Sequence, residues 1–177
     1  MAYSKIDLIR YLRESGNVTR AHGMPHISTY TNGKHCYDMA VLLFQLYPGK
    51  PPVDLVEAIL YHDAHERTVG DLPAPAKWAW PKMTKEYEEA ARQVDDRLRI
   101  KKTHLLSGLG LQWLKALDGF EFYLWCLDEQ AMGNRNAENC LGQIEAHLDT
   151  MTMPEEVREV YDEYKRTGWK RTPEKLS

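Results

Sequence analysis

Cysteine is scarce in this 177-residue chain: Cys36, Cys126 and Cys140 are odd in number, widely spaced and form no CxxC pair. That argues against a disulfide framework or a cysteine zinc site, and buried thiols in a reducing compartment are the expectation. No run of about 18 consecutive apolar residues occurs, so no membrane span is expected. The opening MAYSKIDLIRYLRESGN has no apolar stretch suited to a signal peptide, and a cytoplasmic location is expected. With a formal net charge of −3, the chain lacks the basic excess by which nucleic-acid coats neutralise phosphates. Strand signals are also sparse. The zincin pattern HExxH is absent, since HDAHE has the wrong order for it.

What is present is amphipathic helical period. The chain is 43% hydrophobic and 28% charged, a balance that places it among folded rather than disordered chains. Its length fits one domain, 1–177, with 168–177 expected as a flexible tail. Apolar spacing and breakers predict helices over 4–14, 34–47, 53–66, 84–102 with Thr84 as N-cap, 111–132, 136–149 and 154–167. The prolines at 73, 75 and 81 predict a largely non-helical stretch before Thr84. Residues 17–33 lack periodicity, and a loop that long in a compact domain is more often functional than idle. The fold class is therefore all-α, a compact bundle of about six or seven helices.

Seven histidines are more than chance suggests, so their placement matters. His62, Asp63 and Glu66 crowd the end of the third predicted helix. Adjacent helical residues stand about 100° apart, so His62 and Asp63 can converge on one metal, with Glu66 one turn further on the same flank. Imidazole nitrogen with carboxylate oxygen suits zinc, cobalt, manganese or iron. The displaced third residue is then free to act as general base on a water. Further ligands must come from elsewhere. His35 opens the second helix, where a lone histidine is more often structural than a ligand. Asp118 interrupts the most apolar helix, where a buried carboxylate must meet a cation or several donors, a metal or an arginine. Glu121 is the next candidate on that helix. His65 is expected to be exposed, and His104 and His147 are expected at the surface.

The order His35, His62-Asp63, Asp118 resembles the H…HD…D pattern of HD-domain metal-dependent phosphohydrolases. YHDAHERTVGDLPAPAK is similar to the YHDxxExxxGDLPxPxK stretch of the YfbR-type 5′-deoxynucleotidases, and LKALDGFEFYLWCLDEQAMGN to their KxADxxxAYLxCLEExxxGN helix. GNVTRAH resembles the segment before the first ligand, so the likeness covers residues 5–135. The pattern also resembles the phage DatZ dATP triphosphohydrolases, whose compact length this chain shares. The resemblance implies metal ligation by His35, His62, Asp63 and Asp118, with zinc, cobalt, manganese or magnesium as the divalent ion. Glu66 would handle the water's proton and Arg20 would bind phosphate. His22, Asp71 (orienting Arg20 or the sugar), Pro75 (walling the base pocket) and Lys77 (meeting further phosphates) would contact substrate. Ala21 departs from the family, which has a large aromatic at that position near the deoxyribose; Met24, Tyr30 or Trp78 fills the space, or sugar discrimination is relaxed.

The resemblance implies hydrolysis of a small-molecule deoxynucleotide, with no nucleic acid or membrane partner. The short chain and the extra cations Lys77 and Lys82 favour a dATP or dNTP triphosphohydrolase releasing deoxynucleoside and triphosphate. The alternative is a 5′-deoxynucleotidase acting on monophosphates, and a non-catalytic nucleotide-binding module stands behind both. Relatives assemble as dimers or hexamers, and with the mixed apolar faces around 105–113 they lead to the expectation of a homo-oligomer. The cytoplasm would be a host's if the chain is phage-encoded.

Overall fold

The computed structural model describes residues 3–100, 106 and 108–168, apart from the side chain of Trp78. His104, Leu105 and the tail from 169 lie outside the described residues. Among the described residues the chain is all-α. Its helices are α1 (Lys5–Ser15), α2 (Asn32–Leu46), α3 (Val53–Tyr61), α4 (Glu66–Val69), α5 (Ala74–Ala79), α6 (Pro81–Leu98), α7 (Gly108–Ala131), α8 (Ala137–Thr150) and α9 (Glu155–Thr167). The short α4 and α5 raise the number above the six or seven expected.

The long helix α7 is the axis of the molecule, packed by α2, α3, α8 and α9. Met39 and Leu43 of α2, Leu55 and Ile59 of α3, and Trp113, Leu117 and Phe120 of α7 meet Leu148, Val157 and Tyr161 in one core. Burial on several sides explains why α7 reads as the most apolar helix. Trp113 is 2% exposed, its ring tilted against that of Tyr47 at 4.9 Å, so it belongs to this core and not to a self-association face. Gly119 lets α8 approach closely: a Cβ there would come within 2.9 Å of Leu148 Cδ2.

Two predicted boundaries move. The helix expected over 53–66 ends at Tyr61, and residues 62–65 tighten into turns in which Ala64 N–H donates to Tyr61 O and Glu66 N–H to Asp63 O, each at 3.0 Å. Such i→i+3 bonds wind the chain more tightly than an α-helix. Asp63 and Glu66 still share a side of the chain, but by a turn rather than by α-helical spacing. Pro81, expected to keep its stretch non-helical, instead starts α6 at the first helical position. Its missing N–H costs nothing there and its φ is already helical. Thr84 is no N-cap; its hydroxyl donates to Lys77 O at 2.8 Å.

The segment before α2 is a looped excursion tied at its base, where Arg20 N–H donates to Tyr30 O and Asn32 N–H to Val18 O, both at 3.0 Å. Its far end is tied to α7. The fully buried Glu129 accepts from Ile27 N–H and Ser28 N–H at 2.7 Å, from the Ser28 hydroxyl at 2.5 Å and from Asn134 Nδ2 at 2.6 Å. Burial alone would raise this carboxyl, but the Ser28 hydroxyl, Ile27 N–H and Asn134 amide outweigh it and hold it at about 2. Glu129→Ala strands four donors, and a loss on the order of 3 kcal/mol is expected in urea denaturation. The folded value lies below the ordinary 4.5, so the stabilisation is complete above that pH and is lost as pH falls from 4.5 towards about 2. Glu129→Gln should flatten the acid limb of the stability curve over that window. An unchanged limb would remove Glu129 as its source.

Candidate active site

Three segments converge beside the loop: the first turn of α2, the 62–66 turns and the middle of α7. The His35 ring is fully buried, with Nε2 3.1 Å from Asp118 Oδ1. His62 Nδ1 lies 3.0 Å from the Ile59 carbonyl oxygen, and His62 Nε2 lies 3.1 Å from Asp63 Oδ2. One ligand atom each from His35, His62 and Asp118 lie within 4.8 Å of one another. Both imidazoles thus have an oxygen acceptor at Nδ1 and turn Nε2 towards a carboxylate. That is the orientation in which histidine binds a divalent cation while its other nitrogen is held from behind. The donor set fits such an ion on this chemistry. Solvent reaches 47% of the Asp118 side chain, so the group opens outward there.

Arg20 enters from the loop and lies against the same carboxylates. Its Nη1 donates to Asp63 Oδ2 and, at 3.1 Å, to Asn32 Oδ1; its Nη2 lies 3.8 Å from Asp118 Oδ1. Glu66, 3% exposed, accepts from Asn32 Nδ2 at 2.8 Å and sits 4.0 Å from Arg20 Nη1. Burial first and the Asp63 charge second lift the Glu66 carboxyl to about 8, against the pull of Arg20 and Asn32. Asp63 goes the other way: burial would raise it, but His62 and Arg20 hold it well below the usual carboxylate range. Neighbouring carboxyls in one site are thereby pushed apart, as acid–base sites require.

Other candidates fall in different places. Asp71 does not contact Arg20; its Oδ2 lies 3.5 Å from Nδ1 of the half-exposed His22. Arg20 is oriented instead by Asn32 and Asp63. Pro75 and Lys77 are exposed on α5, and Lys77 Nζ sits 5.9 Å from the Tyr87 ring. Ala21 has φ 52° and packs against the Tyr30–Trp125 cluster. Tyr30 is fully buried and stacked on Trp125 at 4.4 Å, and Met24 packs on the same cluster. The Trp78 side chain lies outside the described residues. His65, expected to be exposed, is half-buried, with Nδ1 3.8 Å from Asp95 Oδ1. With Asp63 and Glu66 it forms a second close donor group. Glu121 lies on the far side of His35, bonded to Nδ1.

Asn32 is a site residue that sequence reasoning missed. Its one side chain bonds both Arg20 and Glu66, yet an asparagine at a helix start reads as ordinary capping chemistry. Its only signal is position, three residues before His35.

A helical fold that gathers one histidine, a His-Asp pair and a later aspartate is that of the HD-domain phosphohydrolases. The chain belongs to the YfbR-like 5′-deoxynucleotidase family, whose model matches residues 7–165. A 5′-deoxynucleotidase from Vibrio atlanticus is 29% identical over 131 residues, covering 66% of this chain and 68% of the relative. One from Yersinia pestis is 28% identical over 109 residues, covering 54% of this chain and 55% of the relative, so that match spans about half of its length. Among solved structures, a conserved hypothetical protein from Pyrococcus furiosus superposes with TM-score 0.68 at 19% identity, over 92% of this chain and 99% of that one. The PH0347 protein from Pyrococcus horikoshii gives 0.63 at 14%, over 91% and 98%. At those identities the likeness is one of fold. No helix among the described residues is long and apolar enough to cross a membrane.

Proposed function

We propose that the chain is a divalent-metal-dependent 5′-deoxynucleotidase, which splits a deoxynucleoside monophosphate into deoxynucleoside and orthophosphate. The observation that carries this is the gathering of His35, His62 and Asp118 within 4.8 Å of one another, with Asp63 Oδ2 3.1 Å from His62 Nε2 and with Arg20 and the buried Glu66 beside them. The names of the Vibrio and Yersinia relatives favour the monophosphate over the triphosphate that chain length and Lys77 and Lys82 suggested. Both lysines are exposed, and Lys77 Nζ lies 5.9 Å from the Tyr87 ring. A non-catalytic module would have no use for a carboxyl poised like that of Glu66.

In this reading His35, His62, Asp63 and Asp118 hold the ion. When bound, it supplies Lewis acidity, polarising a phosphoryl oxygen and making water more acidic. Arg20 holds the phosphate with a planar fork that matches its oxygens. Glu66 takes the proton of the attacking water and is kept in position by Asn32, whose Nδ2 donates to it at 2.8 Å. Water oxygen forms the new bond to phosphorus, the bond to the 5′-oxygen breaks, and that oxygen leaves with the electron pair and receives a proton. In this reading His22 and Asp71, 3.5 Å apart, contact the sugar, Pro75 walls the base and Lys77 meets phosphate. Ala21 leaves the sugar face less filled than an aromatic would, so ribonucleotides are expected to be accepted to a measurable degree. Exposed Tyr37, Val41 and Phe44, one turn apart along α2, support homo-oligomerisation.

The test is a panel of deoxy- and ribonucleoside mono- and triphosphates with cobalt, its products resolved by chromatography. Orthophosphate from monophosphates is expected. Intact triphosphate as the product would overturn the reading in favour of a triphosphohydrolase, and no turnover with any metal would favour the binding module.

A further inference from the structure

The His35 imidazole is gripped at both nitrogens by carboxylates of one helix. Asp118 Oδ1 stands 3.1 Å from Nε2, and Glu121, one turn later on α7, accepts from Nδ1. The same Glu121 oxygen accepts a second hydrogen bond, from the Tyr30 hydroxyl at 2.6 Å. Tyr30 and the His35 side chain are fully buried and Glu121 is 3% exposed, so water does not compete for these bonds. Tyr30 is itself immobilised, stacked on Trp125 at 4.4 Å with its carbonyl accepting from Arg20 N–H.

We propose that Glu121, held by Tyr30, is a positioning residue that fixes the tautomer and rotation of His35 and thereby sets the affinity of the site for its divalent ion. The inference rests on the reading of His35 as a ligand. A carboxylate behind Nδ1 requires the hydrogen there, which leaves the Nε2 lone pair free to face the ion. It also makes the imidazole a stronger donor. The three-residue spacing from Asp118 matters for this role. It lets one rigid helix supply an oxygen on the metal side of the ring and another behind it. Among the described residues, the hydrogen-bond partners of Glu121 are His35 and Tyr30.

The measurement is cobalt binding to the full chain by calorimetry, with the ligand-field absorption of bound cobalt and thermal melts of the metal-free protein alongside. Removal of such an outer partner weakens metal binding by about 10- to 100-fold. Glu121→Leu is expected near the upper end of that range. Glu121→Gln, which keeps the shape but offers a neutral acceptor, is expected near the lower end. Tyr30→Phe should weaken binding in the same direction and by less. The cobalt spectrum should shift in all three while the metal-free melts of Glu121→Gln and Tyr30→Phe stay near the parent's. If Glu121→Leu does not fold, the other two carry the test. Parental affinity and spectrum in Glu121→Gln and Tyr30→Phe, with affinity lost in His35→Ala, would overturn the proposal and leave the ligand reading standing. Parental affinity in His35→Ala would overturn the ligand reading itself.

Discussion

Glu66→Gln is expected to lower turnover of deoxynucleoside monophosphates by about 10² or more while leaving cobalt affinity near the parent's. The glutamine keeps the volume of the side chain and an oxygen that can accept from Asn32 Nδ2, so the site stays packed. What it loses is the ability to take and return a proton. Stability gives an independent readout. The Glu66 carboxyl is raised to about 8, chiefly by burial and then by Asp63. A folded value above the ordinary one means that the folded state holds its proton longer, so the parent's stability declines as pH rises from 4.5 towards 8. In chelator, Glu66→Gln should lack that decline. Near-parental turnover in this variant would remove Glu66 from the chemistry, whatever the stability curve shows.

Asp63→Ala should have the larger effect and a different signature: cobalt affinity falls by more than about 10², and activity falls to background with it. Two losses combine. One oxygen leaves the donor set, and the largely buried Arg20 loses its nearest carboxylate, keeping only Asp118 at 3.8 Å and Glu66 at 4.0 Å. Asp63→Asn separates them, since an amide oxygen still accepts from Arg20 but offers the ion a neutral donor. Metal affinity should stay low in Asp63→Asn while the melting temperature recovers relative to Asp63→Ala. Full cobalt affinity in both would mean that Asp63 serves Arg20 and not the ion. The expected outcomes thus separate the two positions: metal affinity falls on substitution at 63 and is kept on substitution at 66.

The residues of this centre could be picked out in the sequence because they are costly there without a purpose. An aspartate inside LKALDGFEFYLW demands a cationic neighbour, and it has His35 Nε2 at 3.1 Å and Arg20 Nη2 at 3.8 Å. Periodicity likewise located α1, α2, α7, α8 and α9 to within about three residues, well inside the usual boundary error. It could not show the turn at 62–65, because residues that tighten to i→i+3 bonding keep nearly the same apolar spacing. Nor could it resolve Pro81, which ends one helix type of context and begins another depending only on which side the helix lies. The layer behind the centre was the hardest to see. Asn32 looks like a cap and Tyr30 like core. Glu121 was visible as a carboxylate, but which side of His35 it would take depends on how α2 crosses α7, a tertiary fact.

Asp118, Glu121, Trp125 and Glu129 recur along α7 at intervals of three and four, and all face the segment that carries Arg20. The helix therefore acts as a ruler: one end of the stripe meets the imidazole and the other, about 16 Å away, holds Ile27 and Ser28. A ruler of this kind tolerates many substitutions but no change of length. Inserting or deleting one residue between 118 and 129 would turn one end by about 100° relative to the other, so the loop could be held or the imidazole met, but not both. Point changes along the outer face of α7 are therefore open to drift, whereas its spacing is not.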